Sequence, residues 1–139
     1  MRTAIFPAKF DQLDAIRVFA GQAARDAGLD DSDIYSVELS VDEACTNVIE
    51  HAYQGIEGGD IECTFDAGGE ALTIIIRDHG QPFDPSAVPA PNLLSKLEKR
   101  QVGGLGVFLM RLYMDEVRFE PLGETGNVLT MVKRRRRVE

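Results

Sequence analysis

An α+β two-layer sandwich, with helices on one face of a mixed, mainly antiparallel sheet, is what this 139-residue sequence predicts. Three observations predict it. Two amphipathic helical patterns follow each other near the N-terminus. Alternating strand patterns come in pairs joined by tight turns. One further helical pattern separates the two pairs. The length suits a single domain, 1–139, able to bury its own core.

In chain order, Arg2–Phe6 reads as a short strand ended by Pro7. Asp11–Ala27 reads as a helix, with Leu13, Ile16, Ala20, Ala23, Ala24 and Ala27 on one stripe and Gly28 as its C-terminal cap. A second helix is capped by Asp30 or Ser32 and runs to about Tyr53, with Ile34, Val37, Val41, Ala44, Val48 and Ala52 as its stripe. Asp60–Asp66 alternates Ile61, Cys63 and Phe65 with polar residues, as a half-buried strand does. The Ala67-Gly68-Gly69 turn leads into a second strand, Leu72–Asp78. The stretch 79–103 contains Pro82, Pro85, Pro89 and Pro91 and only a short helical hint at Leu93–Arg100. Long irregular insertions in compact domains are usually functional lids or disordered, so this stretch is expected to be a lid. A third helix follows Gly106, with Leu105, Phe108, Leu109 and Leu112 expected on one face. Val117 and Phe119 mark the next strand, and Gly126-Asn127 turns into a last one, Val128–Lys133.

Bulk composition narrows the function. Fifteen basic residues against 23 acidic ones give a net charge of −8, which opposes general affinity for nucleic acid. Five of the bases form the run Lys133–Arg137, whose plainer reading is a solvated terminus or the charged end of an edge strand. The longest apolar runs, Ile74–Ile76 and Val107–Met110, are far too short to cross a bilayer, and the N-terminus lacks the pattern of a signal peptide. Cys45 and Cys63 have no metal-ligand spacing and read as reduced, buried thiols. A cytoplasmic protein with no membrane and no nucleic-acid partner is expected.

Three short segments could carry chemistry. Glu43 and Asn47, four apart, share a helix face beside the apolar stripe, near the rim of the core. A carboxylate and an amide so placed can orient a nucleophile and hold a hydrated divalent cation. Asparagine is a poor mid-helix residue, because its amide competes for backbone hydrogen bonds. Alone, the pair is equally well explained as a solvated helix face. Asp78 ends a strand and Gly80 follows. The acid can accept a hydrogen bond from a base amino group and the glycine lets a ring approach the backbone, although Asp and Gly also make ordinary turns. Gly103-Gly104-Leu105-Gly106 precedes a helix, where backbone N–H groups and the helix dipole favour phosphate. It is neither a Walker A loop nor a Rossmann fingerprint, and its plain alternative is a hinge.

The order of the three segments is more specific than any one of them. Glu43-Ala-Cys-Thr-Asn47, Asp78-His-Gly80-Gln-Pro-Phe-Asp84 and Gly103-Gly-Leu-Gly106 resemble the N, G1 and G2 boxes of the gyrase, histidine-kinase and MutL ATPase superfamily. The fuller strings Glu38–Tyr53 and Gly103–Val117 resemble the bacterial anti-sigma-factor serine/threonine kinases in particular. The resemblance covers nearly the whole chain. It implies a Bergerat-type ATPase fold and ATP and Mg²⁺ as cofactors. By position, it implies Glu43 as general base, Asn47 as Mg²⁺ ligand and Asp78 as the acid that recognises adenine, with Gly80 beneath the base. Gly103, Gly104, Leu105 and Gly106 are implied at the phosphates. His51 follows the first box and reads as structural. Two positions depart from the pattern. Val102 stands where these kinases often carry arginine, with Lys96, Lys99 and Arg100 the nearest bases, and Gly126-Asn127 replaces the usual Gly-Thr.

The implied function is phosphorylation of an anti-sigma-factor antagonist on serine or threonine, with binding of a sigma factor or similar regulator. The alternative is a nucleotide-binding module without kinase activity, in which ATP orders the lid for partner binding. A sensor histidine kinase has no room here for its sensor and dimerisation helices. A homodimer is expected, with the N-terminal strand and first helix available to a second copy.

Overall fold

The computed structural model describes residues 1–54, 56–84 and 105–135. Most of the expected lid, with Gly103 and Gly104, lies outside the described residues. The elements are β1 (Arg2–Pro7), α1 (Leu13–Asp26), α2 (Asp31–Asn47), β2 (Asp60–Asp66), β3 (Ala71–Asp78), α3 (Leu105–Tyr113), β4 (Glu116–Pro121) and β5 (Asn127–Arg134). The strands form one sheet in the order β1-β2-β3-β5-β4, and every described pairing is antiparallel. The helices cover one face, with α2 packed against both α1 and α3. The expected two-layer α+β sandwich is the fold observed.

Register explains the core. Cys63 pairs with Ile76 and Phe65 with Ile74, while Ile74 and Ile76 pair on their other side with Met131 and Leu129. Alternation then sends this set to the helix-covered face. There it meets Val37, Val41, Ala44 and Cys45 of α2, all buried. Both cysteines are free thiols, and the Cys45 thiol is pushed well up, first by its hydrogen bond with Cys63 and then by burial.

Helix ends follow their local chemistry. Gly28 N–H donates to Arg25 O and Leu29 N–H to Ala24 O, the paired bonds of a Schellman cap that closes α1. Asp30 caps α2 by accepting from Asp33 N–H at 2.8 Å.

Three expectations need correction. The second helix does not continue regularly to Tyr53: α-helical bonding stops at Asn47 and a π turn, Val48–Ala52, follows. Tyr53 N–H reaches back five residues to Val48 O, at 3.1 Å. The first helix begins at Leu13, after a 3₁₀ turn over Phe10–Gln12. The buried face of α3 is not the one through Leu105, Phe108, Leu109 and Leu112. Val107 and Met110 are buried, as is Met114 just past the helix end, whereas Leu112 is 64% exposed. By sequence, seven of the nine α3 residues are apolar or aromatic, so periodicity could not choose a face, and contact with α2 chose it.

Candidate functional site

Asp78 is the last residue of β3 and only 3% exposed. Both of its described side-chain hydrogen bonds end on Oδ1, from Gly80 N–H at 2.9 Å and from Asn127 Nδ2 at 2.9 Å. Burial raises the Asp78 pKa, and the bonds from Asn127 and Gly80 oppose that rise. A carboxyl buried at a strand end and fixed through one oxygen is arranged as an acceptor for a ligand donor.

The turn after Asp78 is held from two sides. Gln81 N–H donates to Ala52 O at 2.8 Å, so the π turn supplies the carbonyl on which the turn docks. Tyr53 O–H donates to Asp60 O at 2.6 Å and accepts from His79 N–H at 2.9 Å. A Cβ at Gly80 would overlap the Ala52 carbonyl. The close approach that this glycine permits in the structure is therefore that of the π turn, beyond the ligand approach expected from sequence.

Asn47 ends α2 and is 3% exposed, deeper than the rim position expected for it. Its Nδ2 is buried and has no hydrogen-bond partner among the described residues. Such an atom costs about 1–3 kcal/mol in a folded protein, and the cost is recovered when a ligand or water meets it. Glu43, one turn earlier, is half-buried. Burial raises its pKa first, with Asp42 and Glu50 adding repulsion. His51 contributes packing and backbone: its ring centroid lies 5.8 Å from that of Phe83, and its carbonyl accepts from Gln81 Nε2.

Asn47 and Asp78 line one cavity together with Ala44, Phe83, Met110 and Asn127. It encloses about 10 Å³, room for about one water and far below the roughly 300 Å³ or more of a typical ligand pocket. Phe83 forms part of its wall, its ring tilted against that of Phe119 at a centroid distance of 5.2 Å and its N–H on Asn127 Oδ1. A larger open cleft of about 670 Å³ lies beside the same turn, along Tyr53, Ile56, Asp60, His79 and Glu124. It includes none of Glu43, Asn47 or Asp78, so the chemistry marks the smaller cavity as the site. Leu105 and Gly106 open α3, whose next turn brings Met110 to that cavity.

Tyr53 is a site residue that sequence reasoning did not single out, and Asn127 was noted only as the replacement for the usual threonine of the last box, without its bond to Asp78. Asn127 was visible as an oddity of the last turn, and Tyr53 only as the end of a helix. A family model for the histidine kinase-like ATPase domain matches residues 6–133. The chain belongs to that family. Within it, the chain is 36% identical over 131 residues to the serine-protein kinase RsbW of Halalkalibacterium halodurans, covering 91% of this chain and 78% of that one. The serine-protein kinases RsbW of Bacillus licheniformis and Bacillus subtilis are 32% and 30% identical, each over 91% of this chain and 81% of theirs. The crystal structure of the RsbU and RsbW domains of Rv1364c from Mycobacterium tuberculosis superimposes with a TM-score of 0.63 at 18% identity. That match covers all of this chain and 35% of the longer one, and it shows the shared fold. The resemblance to the anti-sigma-factor serine kinases, drawn from the strings Glu38–Tyr53 and Gly103–Val117, is borne out across the chain. No helix among the described residues is long and apolar enough to cross a membrane.

Proposed function

We propose that this protein is an ATP- and Mg²⁺-dependent anti-sigma serine/threonine kinase that phosphorylates an anti-sigma-factor antagonist and binds a sigma factor or similar regulator. The observation that carries the reading is the shared cavity of Asp78 and Asn47, a fixed buried acceptor beside a buried amide whose Nδ2 has no partner among the described residues. Asp78 accepts from the adenine amino group, with Gly80 beneath the base. The resemblance assigns Gly103, Gly104, Leu105 and Gly106 to the phosphates; of these, Leu105 and Gly106 open α3, where free backbone N–H groups favour an anion. The cavity must open at Phe83 to admit a purine.

Asn47 offers one neutral oxygen, Oδ1, which would suit a Mg²⁺ held mainly by phosphates and water, while its Nδ2, a donor with no partner among the described residues, is left for a phosphate or water oxygen. When bound, the ion neutralises charge on the phosphates. Glu43 accepts the proton of a substrate serine or threonine hydroxyl. The hydroxyl oxygen then bonds to the γ-phosphorus, the bond to the bridging oxygen breaks, and ADP leaves with that electron pair. The family context and the half-buried position of Glu43 support this role.

Supporting a homodimer are the unpaired outer edge of β1 and the exposed side chains of Ile5, Phe10 and Val18 on the N-terminal elements. A cytoplasmic location fits both readings. The second reading, a nucleotide-binding module without transfer, is favoured by Val102 in the place of the lid arginine. Incubation with γ-labelled ATP and candidate antagonist proteins separates the two. Label on an antagonist serine or threonine supports the kinase. No transfer, with ATP still switching partner binding, leaves the module.

A further inference from the structure

The basic run that begins at Lys133 does not start as a solvated terminus or on an edge strand. Strand order puts β5 between β3 and β4, inside the sheet. Lys133 pairs with Leu72 in the β3–β5 register and stands two residues from Met131. Alternation therefore sends its side chain to the helix-covered face, beside buried Leu72 and Met131. The side chain is 13% exposed. Nζ donates to the carbonyl of Tyr113, the last residue of α3, at 2.6 Å. It also lies 3.6 Å from Oδ1 of Asp33, a buried acid in the first turn of α2. Two more bonds secure the same place. Asp115 N–H donates to Val132 O at 2.9 Å, and Arg134 N–H to Asp115 Oδ2 at 2.6 Å. The C-terminal end of α3 is thus tied to the sheet and to α2 at once.

We propose that Lys133 is a positioning residue for phosphate binding: by fixing the C-terminal end of α3 it sets where the first N–H groups of that helix, at Leu105 and Gly106, stand in the site. The proposal deepens the nucleotide reading above and rests on it. Val107 and Met110 of α3 are buried, and α3 packs on α2. Apolar contact is non-directional, so it decides which side of a helix is buried better than where the helix sits along its axis. Packed helices shift by about 1–2 Å in ordinary conformational changes. A hydrogen bond resists such a shift, because stretching it by about 1 Å breaks it. At nine residues, α3 is about 13 Å long and short enough to move as a rigid rod, so a slip at Tyr113 reappears at Leu105. The Lys133 charge faces the Asp33 carboxylate and is balanced there, so what reaches the far end of α3 is position more than field.

The test is calorimetric titration of the full chain with Mg²⁺-ATP, and with adenosine by competition against ATP, for wild type, Lys133→Met and Lys133→Gln, with thermal melts to confirm folding. Adenosine reads the base site alone, so the ATP/adenosine ratio reads the phosphates. Wild type is expected to bind ATP more tightly than adenosine by about tenfold or more. Lys133→Met keeps the stem without the donor. It is expected to lose about tenfold in ATP affinity, as misplacement of a binding group by about 1 Å can cost that much or more, while adenosine stays within about twofold of wild type. Lys133→Gln, a neutral donor one atom shorter, is expected to fall between, and it decides the matter if the methionine variant does not fold. A merely structural role would weaken both ligands together, so folded variants that bind more weakly at an unchanged ratio overturn the proposal. Variants that bind both ligands as wild type does also overturn it. Wild type binding ATP no better than adenosine overturns it while leaving base binding intact. Wild type binding neither overturns the nucleotide reading as well.

Discussion

Burial raises the pKa of two carboxyls in the site, with different consequences. Glu43 has to be ionised to accept a proton. Burial, then Asp42 and Glu50, hold its pKa above the ordinary 4.5. The acid limb of phosphoryl transfer is therefore expected above that pH, and Glu50→Gln should move it lower by removing one repelling charge. A pH–rate profile checks both. Glu43→Gln should keep ATP binding and lose about 10²- to 10⁴-fold in transfer rate, measured with labelled ATP. For Asp78 the consequence is stability. Its folded pKa is raised, so the protonated form is the one that favours folding. That contribution is complete below the unfolded pKa, near 3.8, and is lost as pH rises through the folded value. At neutral pH the buried charge is a cost. Asp78→Asn should thus abolish ATP binding in calorimetry while leaving the urea midpoint of the free protein equal to wild type or higher.

At the level of elements, the π turn after α2 joins the two halves of the site. It ends the helix that carries Glu43 and Asn47, and its last carbonyl, Ala52 O, receives the turn that follows Asp78. Such wide turns recur at functional sites, where one extra residue re-aims a backbone group. Gly80 is the contact point. Gly80→Ala should cost about 1–3 kcal/mol by overpacking against Ala52 and should displace the turn that Asp78 holds. The expected outcome is a lower melting temperature together with weaker ATP binding. A melting curve like that of wild type would mean that the turn can move aside freely.

For the whole molecule, a nucleotide in the proposed site would link the two layers, since Asn47 belongs to the helices and Asp78 and Asn127 to the sheet. A ligand bound between layers stabilises only the packed state. Mg²⁺-ATP at about a hundredfold above Kd should add about 2.7 kcal/mol, a rise of several degrees in melting temperature. Removal of Mg²⁺ by a chelator should remove most of this shift in wild type. Asn47→Ala should show a small shift with or without the ion. A full shift without Mg²⁺, in both proteins, would exclude the role given to Asn47.

The sequence by itself determined the fold class and the order of the elements, and it marked three candidate segments for the site. Strand alternation, helical stripes and Asp or Gly caps are local rules, and each acts within a few residues. Glu43, Asn47, Asp78 and Gly80 stand out as candidates because their segments resemble a known family in order. What only the tertiary structure decided lies between elements. The face of α3 was open because its apolar residues surround the helix, and α2 fixed it. The π turn was hidden because Val48–Ala52 is apolar enough to continue a helix, and docking of Gln81 on Ala52 O defines its outcome. Asn127 read as a turn residue; only the β3–β5 register sets its amide against Asp78, 49 residues away in the chain. Long-range hydrogen bonds of this kind leave no periodic trace, because their partners are brought together by the sheet and not by spacing along the chain.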